Sequence, residues 1–270
     1  MPSSHPADAP RQFALVTGAS SGIGLELAKL FAEHDYDVVV AAEDAELDGA
    51  ADAVRALGAQ VEAVRVDLAT RDGVEQLVAR VQAAGRPLDA LALNAGVGLG
   101  GAFLEQDLER VFNLIDLNVR STVHLARRLM PAMVARGRGR VLVTSSIAAL
   151  TPGTFQAVYN ASKSFVHSWS EAVRNEIKDS GVTVTALQPG ATETEFFHRA
   201  ELDDTKIGQS KKDDPAKVAR DGFEAMLAGK DHVVAGSFKN KVQAVLSEIT
   251  PEPVKAEQHR KLAEPGSGDR

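Results

Sequence analysis

The sequence predicts an α/β fold, a doubly wound, mostly parallel sheet with helices on both faces. Three observations predict it. Short apolar runs alternate with amphipathic stretches along nearly the whole chain. The connections between them are short, as in βαβ units. A glycine-rich turn, Thr17-Gly18-Ala19-Ser20-Ser21-Gly22-Ile23-Gly24, separates the first apolar run from the first amphipathic one.

Phe13-Ala14-Leu15-Val16 reads as a buried strand, since a continuous apolar run closed by glycine has no face for water. Leu25, Leu27, Ala28, Leu30 and Phe31 then mark a helix. Strand, glycine turn and helix is the arrangement in which backbone N–H groups receive a phosphate. Its glycines permit φ > 0 and a close approach of the ligand. The competing reading, a tight turn of small residues, explains the three glycines less well. Val38 to Ala42 is a second strand, ending at Glu43-Asp44, and a helix with Leu47, Ala51, Val54 and Leu57 closes at Gly58. Val61 to Val66 ends at Asp67, and Val74, Leu77, Val78 and Val81 face one side of the next helix. Leu88 to Leu93 is a fourth strand, ending in Asn94-Ala95-Gly96. A long helical pattern follows from Gln106 to Met133, with breaks expected near Leu104 and at Pro131. Val141 to Thr144 runs into Ser145-Ser146, and a helix from Tyr159 through Phe165, Trp169, Val173 and Ile177 stops at Gly181. Val182 to Leu187 ends in Gln188-Pro189-Gly190. A helix near 215–228, a strand at 233–235 and a helix near 239–248 complete a single domain over 12–250. A disordered leader is expected at 1–11 and a surface-lying or partly mobile tail at 251–270.

Composition narrows the function classes. The net charge is 30 − 37 = −7 and no Lys/Arg stripe appears, which argues against a nucleic-acid surface. Arg136, Arg138 and Arg140 cluster where a helix should end, and cations suit that end of the dipole. The absence of cysteine excludes disulfides, thiolate catalysis and cysteine metal sites. His124, His167 and His198 have no metal-type ligand at helical spacing, so no metal site is expected. No apolar run approaches the roughly 18 residues of a membrane span, and the first ten residues are not a secretion signal. These features predict a cytoplasmic protein with no membrane or nucleic-acid partner.

Tyr159 and Lys163 are four residues apart, so on a helix they share a face. A nearby ammonium favours the phenolate and would lower the tyrosine pKa from about 10, suiting Tyr159 to general acid/base work. Taken alone the spacing is common on solvated helices. Ser146 could equally cap a helix, and Asn118 could be a solvated helix residue. Trp169 and Phe165 read as core or subunit interface.

With these motifs at the ends of consecutive strands, the sequence resembles the short-chain dehydrogenase/reductase family over about residues 12–235. The resemblance implies a Rossmann-type fold of the compact single-domain kind. It implies a cofactor loop at Gly18, Ser20, Ser21, Gly22, Ile23 and Gly24, and an adenine contact at Asp67 with Leu68. Asn94, Ala95 and Gly96 would lie beside the adenosine ribose, and Pro189, Gly190, Thr192 and Thr194 would seat the nicotinamide. Asn118, Ser146, Tyr159 and Lys163 match the family's catalytic tetrad, with Ser146 rather than Ser145 at the usual gap before the tyrosine. The implied activity is an NAD(P)-dependent interconversion of a carbonyl and a secondary alcohol. In it Tyr159 is the acid/base, Ser146 holds the carbonyl oxygen, and Lys163 lowers the Tyr159 pKa while gripping the nicotinamide ribose. A water on Asn118 would link Lys163 to solvent.

Cofactor choice departs from both common family patterns, because Ala42 stands where an NAD-preferring member carries an acid. Glu43 and Ser21 stand where NADP-preferring members carry a base. Five acids and no base occur from Glu43 to Asp52, which favours NAD(H) over NADP(H), with Glu43 toward the ribose. Residues 195–214 occupy the usual lid position, where Phe196 and Phe197 would form an apolar wall for a small, partly apolar substrate. The family also implies a homodimer or homotetramer built from the helices at 106–133 and 159–179. A non-catalytic dinucleotide-binding sensor or scaffold is the alternative; the intact tetrad argues against it.

Overall fold

A computed structural model describes residues 11–268, so the expected leader, apart from Arg11, lies outside the described residues. Among the described residues seven strands form one parallel sheet. They are β1 (Gln12–Thr17), β2 (Tyr36–Ala42), β3 (Val61–Arg65), β4 (Ala90–Leu93), β5 (Gly139–Thr144), β6 (Val182–Gln188) and β7 (His232–Val234), in spatial order 3-2-1-4-5-6-7. The sheet side chains alternate between two cores, as the period of two requires. Phe13 and Leu15 pack with α3 (Arg71–Ala83), α5 (Ser121–Arg136) and α6 (Ala157–Glu176). Ala14 and Val16 pack on the other face with α1 (Gly22–Glu33), α2 (Glu46–Arg55) and α9 (Pro215–Leu227). The apolar strand runs are apolar because both faces are covered. Short polar residues set several helix starts: Thr70 accepts from Gly73 N, and Asp214 accepts from Ala216 N ahead of Pro215.

Three expectations are corrected. The long helix at 106–133 is α4 (Leu108–Ile115), then a π-turn over Asp116–Arg120, then α5. A separate 3₁₀ turn, Phe103–Glu105, precedes it. Pro131 does not break α5, which runs on to Arg136 and ends at Gly137 in the left-handed region (φ 71°). Met130 and Met133, buried on either side of the proline, keep the helix on the sheet despite the one missing N–H. The weakly patterned stretch after β6 contains α7 (Phe196–Arg199) and α8 (Lys206–Gln209), folded around Phe197, Ala200 and Leu202. Beyond α10 (Phe238–Ile249), the segment expected as a tail forms α11 (Glu252–Ala263), with His259 and Ala263 buried. Its apolar positions are too sparse for a readable stripe, and only the docking partner reveals it.

Candidate active site

The sheet order reverses between β1 and β4, and the crevice outside their carboxyl ends is where open α/β sheets bind ligands. Asn94 fastens that edge. Its Nδ2 donates to Thr17 O (3.1 Å), its Oδ1 accepts from Thr144 Oγ1 (3.0 Å), and its N–H and that of Ala95 reach Thr17 Oγ1. Gly18 and Gly22 have φ of 64° and 55°. A Cβ on Gly18 would stand 2.8 Å from Ala95 Cα, and one on Gly24 would strike the Gly18 carbonyl. At Gly18 and Gly24 the turn therefore admits no side chain. Ser21, the N-cap of α1, makes no side-chain cap bond, which leaves the first-turn N–H groups for an anion. A bare cradle facing a helix N-terminus fits the pyrophosphate of a dinucleotide.

At one end of the cavity stand Glu43 and Asp44. Ser20 Oγ donates to Asp44 Oδ2 (3.0 Å), and Arg199 Nη1 lies 3.6 Å from the same oxygen. Asp44 Oδ1 is buried with no partner among the described residues, an acceptor suited to a ribose hydroxyl. Leu68 lines the cavity, whereas the Asp67 side chain is exposed and accepts from Ala69 N (2.8 Å).

At the other end, Ser146 leaves β5 and opens a 3₁₀ turn, accepting from Ala148 N (3.1 Å) and donating to Pro189 O (3.3 Å). Tyr159 lies one turn into α6, 9% exposed, its ring 5.1 Å from Phe196. Burial pushes its pKa up to about 12, with the Ser146 hydroxyl pulling the other way. Lys163, 5% exposed, donates from Nζ to Thr144 O (3.0 Å), and burial lowers its pKa to about 8. The expected depression of the Tyr159 pKa by Lys163 is absent. Nζ sits on the Thr144 carbonyl, 5.9 Å from the centre of the phenol ring, and desolvation opposes both charges.

Asn118, 1% exposed, lies in the π-turn behind Lys163. Its amide pairs with both polar atoms of Val97 (2.9 Å each) and donates to Ser162 Oγ (3.0 Å). Gly96 lets it approach, since a Cβ there would lie 3.0 Å from Asn118 Oδ1 and 3.2 Å from Lys163 Nζ. Ser145 Oγ is taken up by the Lys163 carbonyl, to which it donates (3.0 Å). Pro189, Gly190, Thr192 and Thr194 line the cavity between the two ends, with Thr192 Oγ1 on Gly190 O (3.0 Å) and Thr194 beside Gly22.

A family model described as short chain dehydrogenase matches residues 12–205. The chain belongs to the short-chain dehydrogenase family. It is 32% identical over 204 residues to a short chain dehydrogenase of Pseudocercospora fijiensis, covering 72% of this chain and 66% of that protein. The match thus spans just under two-thirds of that relative's length. Among solved structures it is similar to a short-chain dehydrogenase from Sphingobium yanoikuyae in complex with NADPH. That likeness has 30% identity, a TM-score of 0.77, and covers 83% of this chain and 87% of that one. A Burkholderia phymatum member in complex with NAD has 25% identity and a TM-score of 0.75, covering 83% of this chain and 88% of that one.

Of these solved relatives, one holds NADPH and the other NAD. Among the described residues no helix is long and apolar enough to cross a membrane, and no cluster of acidic or histidine side chains could hold a metal. Sequence reasoning placed Arg199 only within the lid at 195–214 and assigned no role to Gln156, Gln243, His259 or Leu262, all of which line the cavity. No spacing signal could have found them, because they are brought to the site from the lid, the loop before α6 and the two last helices.

Proposed function

We propose that this short-chain dehydrogenase interconverts a carbonyl and a secondary alcohol on a small, partly apolar substrate. The observation that carries the reading is one cavity holding Ser146, Tyr159 and Lys163 at one end and the bare glycine cradle at the other. The nicotinamide dinucleotide, when bound, supplies or accepts the hydride. Tyr159 gives its phenolic proton to the carbonyl oxygen in reduction, and a phenol with pKa near 12 carries that proton at neutral pH. Ser146 donates to the same oxygen where negative charge develops. Lys163, mostly protonated below its pKa of about 8, would hold ribose hydroxyls. Asn118, fixed on Val97, backs Lys163, where a water would resupply its proton. Phe196 forms an apolar wall beside Tyr159.

The cofactor is NAD(H) in preference to NADP(H). Two carboxylates, Glu43 and Asp44, flank the adenosine end, and among the described residues the arginine that lines the cavity, Arg199, already faces Asp44. A 2′-phosphate would meet those acids, whereas ribose hydroxyls would donate to them. The protein works in the cytoplasm as a homo-oligomer joined through α4–α6. Tyr159→Phe should bind dinucleotide with unchanged affinity and lose turnover by orders of magnitude against a ketone and secondary-alcohol panel. Retained turnover would overturn the assignment. Initial rates with NADH and NADPH test the cofactor, and a strong NADPH preference would reverse it.

A further inference from the structure

α10 (Phe238–Ile249) lies beyond the stretch matched by the family, and it is docked with its apolar face outward. Its inward positions are polar or small. Asn240 and Ala244 are buried, and Asn240 Nδ2 donates to Asp213 Oδ2 (2.7 Å) and Ala235 O (2.9 Å). The same amide packs against Gly190, where a Cβ would stand 2.3 Å from it. Those contacts fix which way the helix faces. The outward face carries Phe238, Val242, Val245, Leu246 and Ile249, with Phe238 and Ile249 each 79% exposed. A surface helix ordinarily turns such a stripe to the core, and leaving it in water forgoes the burial that holds helices in place. The stripe calls for a partner.

Spacing and charge say which partner fits. Phe238, Val242, Val245 and Ile249 are separated by four, three and four residues, the a/d repeat of a two-helix seam. Asn240, Gln243 and Ala244 then fall on the far side of the seam, at f, b and c. These are the positions turned to the body of the protein, with Gln243 lining the catalytic cavity. Lys241 and Glu248 are seven residues apart, so both hold position g. If two copies of the helix run antiparallel, Phe238 of one lies against Ile249 of the other, and Val242 against Val245. In that register g faces g, so Lys241 meets position 248 of the second copy, a glutamate, on both sides of the two-fold axis. A parallel pair would set Lys241 against Leu246 instead. A lipid surface would make no use of the glutamate, and the net charge of −7 opposes an anionic bilayer.

We propose that the outer face of α10 is a self-association surface whose partner is a second copy of this chain, paired antiparallel about a two-fold axis. It is separate from the α4–α6 face, and two such faces close a tetramer. It does not depend on the reaction assigned above. The chain has no cysteine, so introduced thiols report the register directly. Phe238→Cys combined with Ile249→Cys, oxidised with diamide, should give a disulfide-linked dimer as the major species on a non-reducing gel. Either single variant should not, because the two copies of one position lie about 16 Å apart along the seam, beyond the reach of a disulfide. In the Phe112→Glu/Phe165→Glu background, sedimentation should still give a dimer. Lys241→Glu should weaken that dimer about tenfold, since two ion pairs become repulsive, and adding Glu248→Lys should restore it. Absence of the cross-link in the paired variant, equal cross-linking by the single variants, a monomer in that background, or no rescue by Glu248→Lys would each overturn the proposal. Flotation of the wild type with phosphatidylcholine vesicles would assign the face to lipid and overturn it as well.

Discussion

Lys163 is a buried ammonium whose pKa falls from 10.5 to about 8. The unfolded chain therefore binds this proton more tightly, and between about pH 8 and 10.5 it holds more protons than the native state. Stability from this group rises with pH across that window, the burial cost being fully present below it. Tyr159 behaves oppositely, since its pKa is raised from 10.0 to about 12: its contribution is present below pH 10 and is lost toward 12. Lys163→Met should therefore compare best with the wild type near neutral pH and lose that relative advantage by pH 10. Urea unfolding at the two pH values reads it, and a pH-independent difference would contradict the burial argument. The adjacent serines separate in the same way. Ser146→Ala should cost on the order of 10²-fold in turnover, as loss of an oxyanion donor does. Ser145→Ala, which removes the bond to the Lys163 carbonyl, should cost stability of about 1 kcal/mol with a smaller effect on rate. Parallel kinetics and melts distinguish them.

Two elements carry the site. In the glycine turn, Gly24 has no positive φ, so an alanine there meets only a steric obstacle, the Gly18 carbonyl and the Asn94 amide. Gly24→Ala should push the turn away from α1 and weaken dinucleotide binding at least tenfold by fluorescence titration; undiminished affinity would show that the cradle is not the pyrophosphate site. The π-turn over Asp116–Arg120 places Asn118 inside, where it serves three hydrogen bonds to Val97 and Ser162. Asn118→Ala strands buried partners, each costing roughly 1–3 kcal/mol. The variant should thus melt earlier as well as turn over more slowly, and a pure rate effect with an unchanged melt would place its role in catalysis alone.

At the scale of the whole molecule, Leu108, Phe112 and Ile115 form an exposed stripe on α4, and Phe165 is exposed on α6. Apolar side chains so placed fit the homo-oligomer proposed from these helices. Sedimentation should give a dimer or tetramer for the wild type and a smaller species for Phe112→Glu combined with Phe165→Glu. A monomeric wild type would remove the oligomer from the reading. The same scale explains the lid: Arg199 and Phe196 reach the cavity because α7 is folded back over it, held by the bridge between Thr192 and Asp213 and by the turn after α11.

By itself the sequence determined the alternation of strands and helices, the two-faced burial of Phe13 to Val16 and the glycine turn. Each depends on local spacing: period two in a strand, a return every four residues on a helix, glycine where no Cβ fits. The roles of Asn118, Ser146, Tyr159 and Lys163 came from the family resemblance, not from spacing. Only the tertiary structure decided the electrostatics of the pair at Tyr159 and Lys163, because desolvation depends on everything packed around them and here outweighs their mutual effect. It also decided that the path through Asn118 is a π-turn and that residues after 250 form a cavity wall. Those outcomes come from contacts between segments far apart in the chain, such as His259 with Thr154, which local periodicity does not encode.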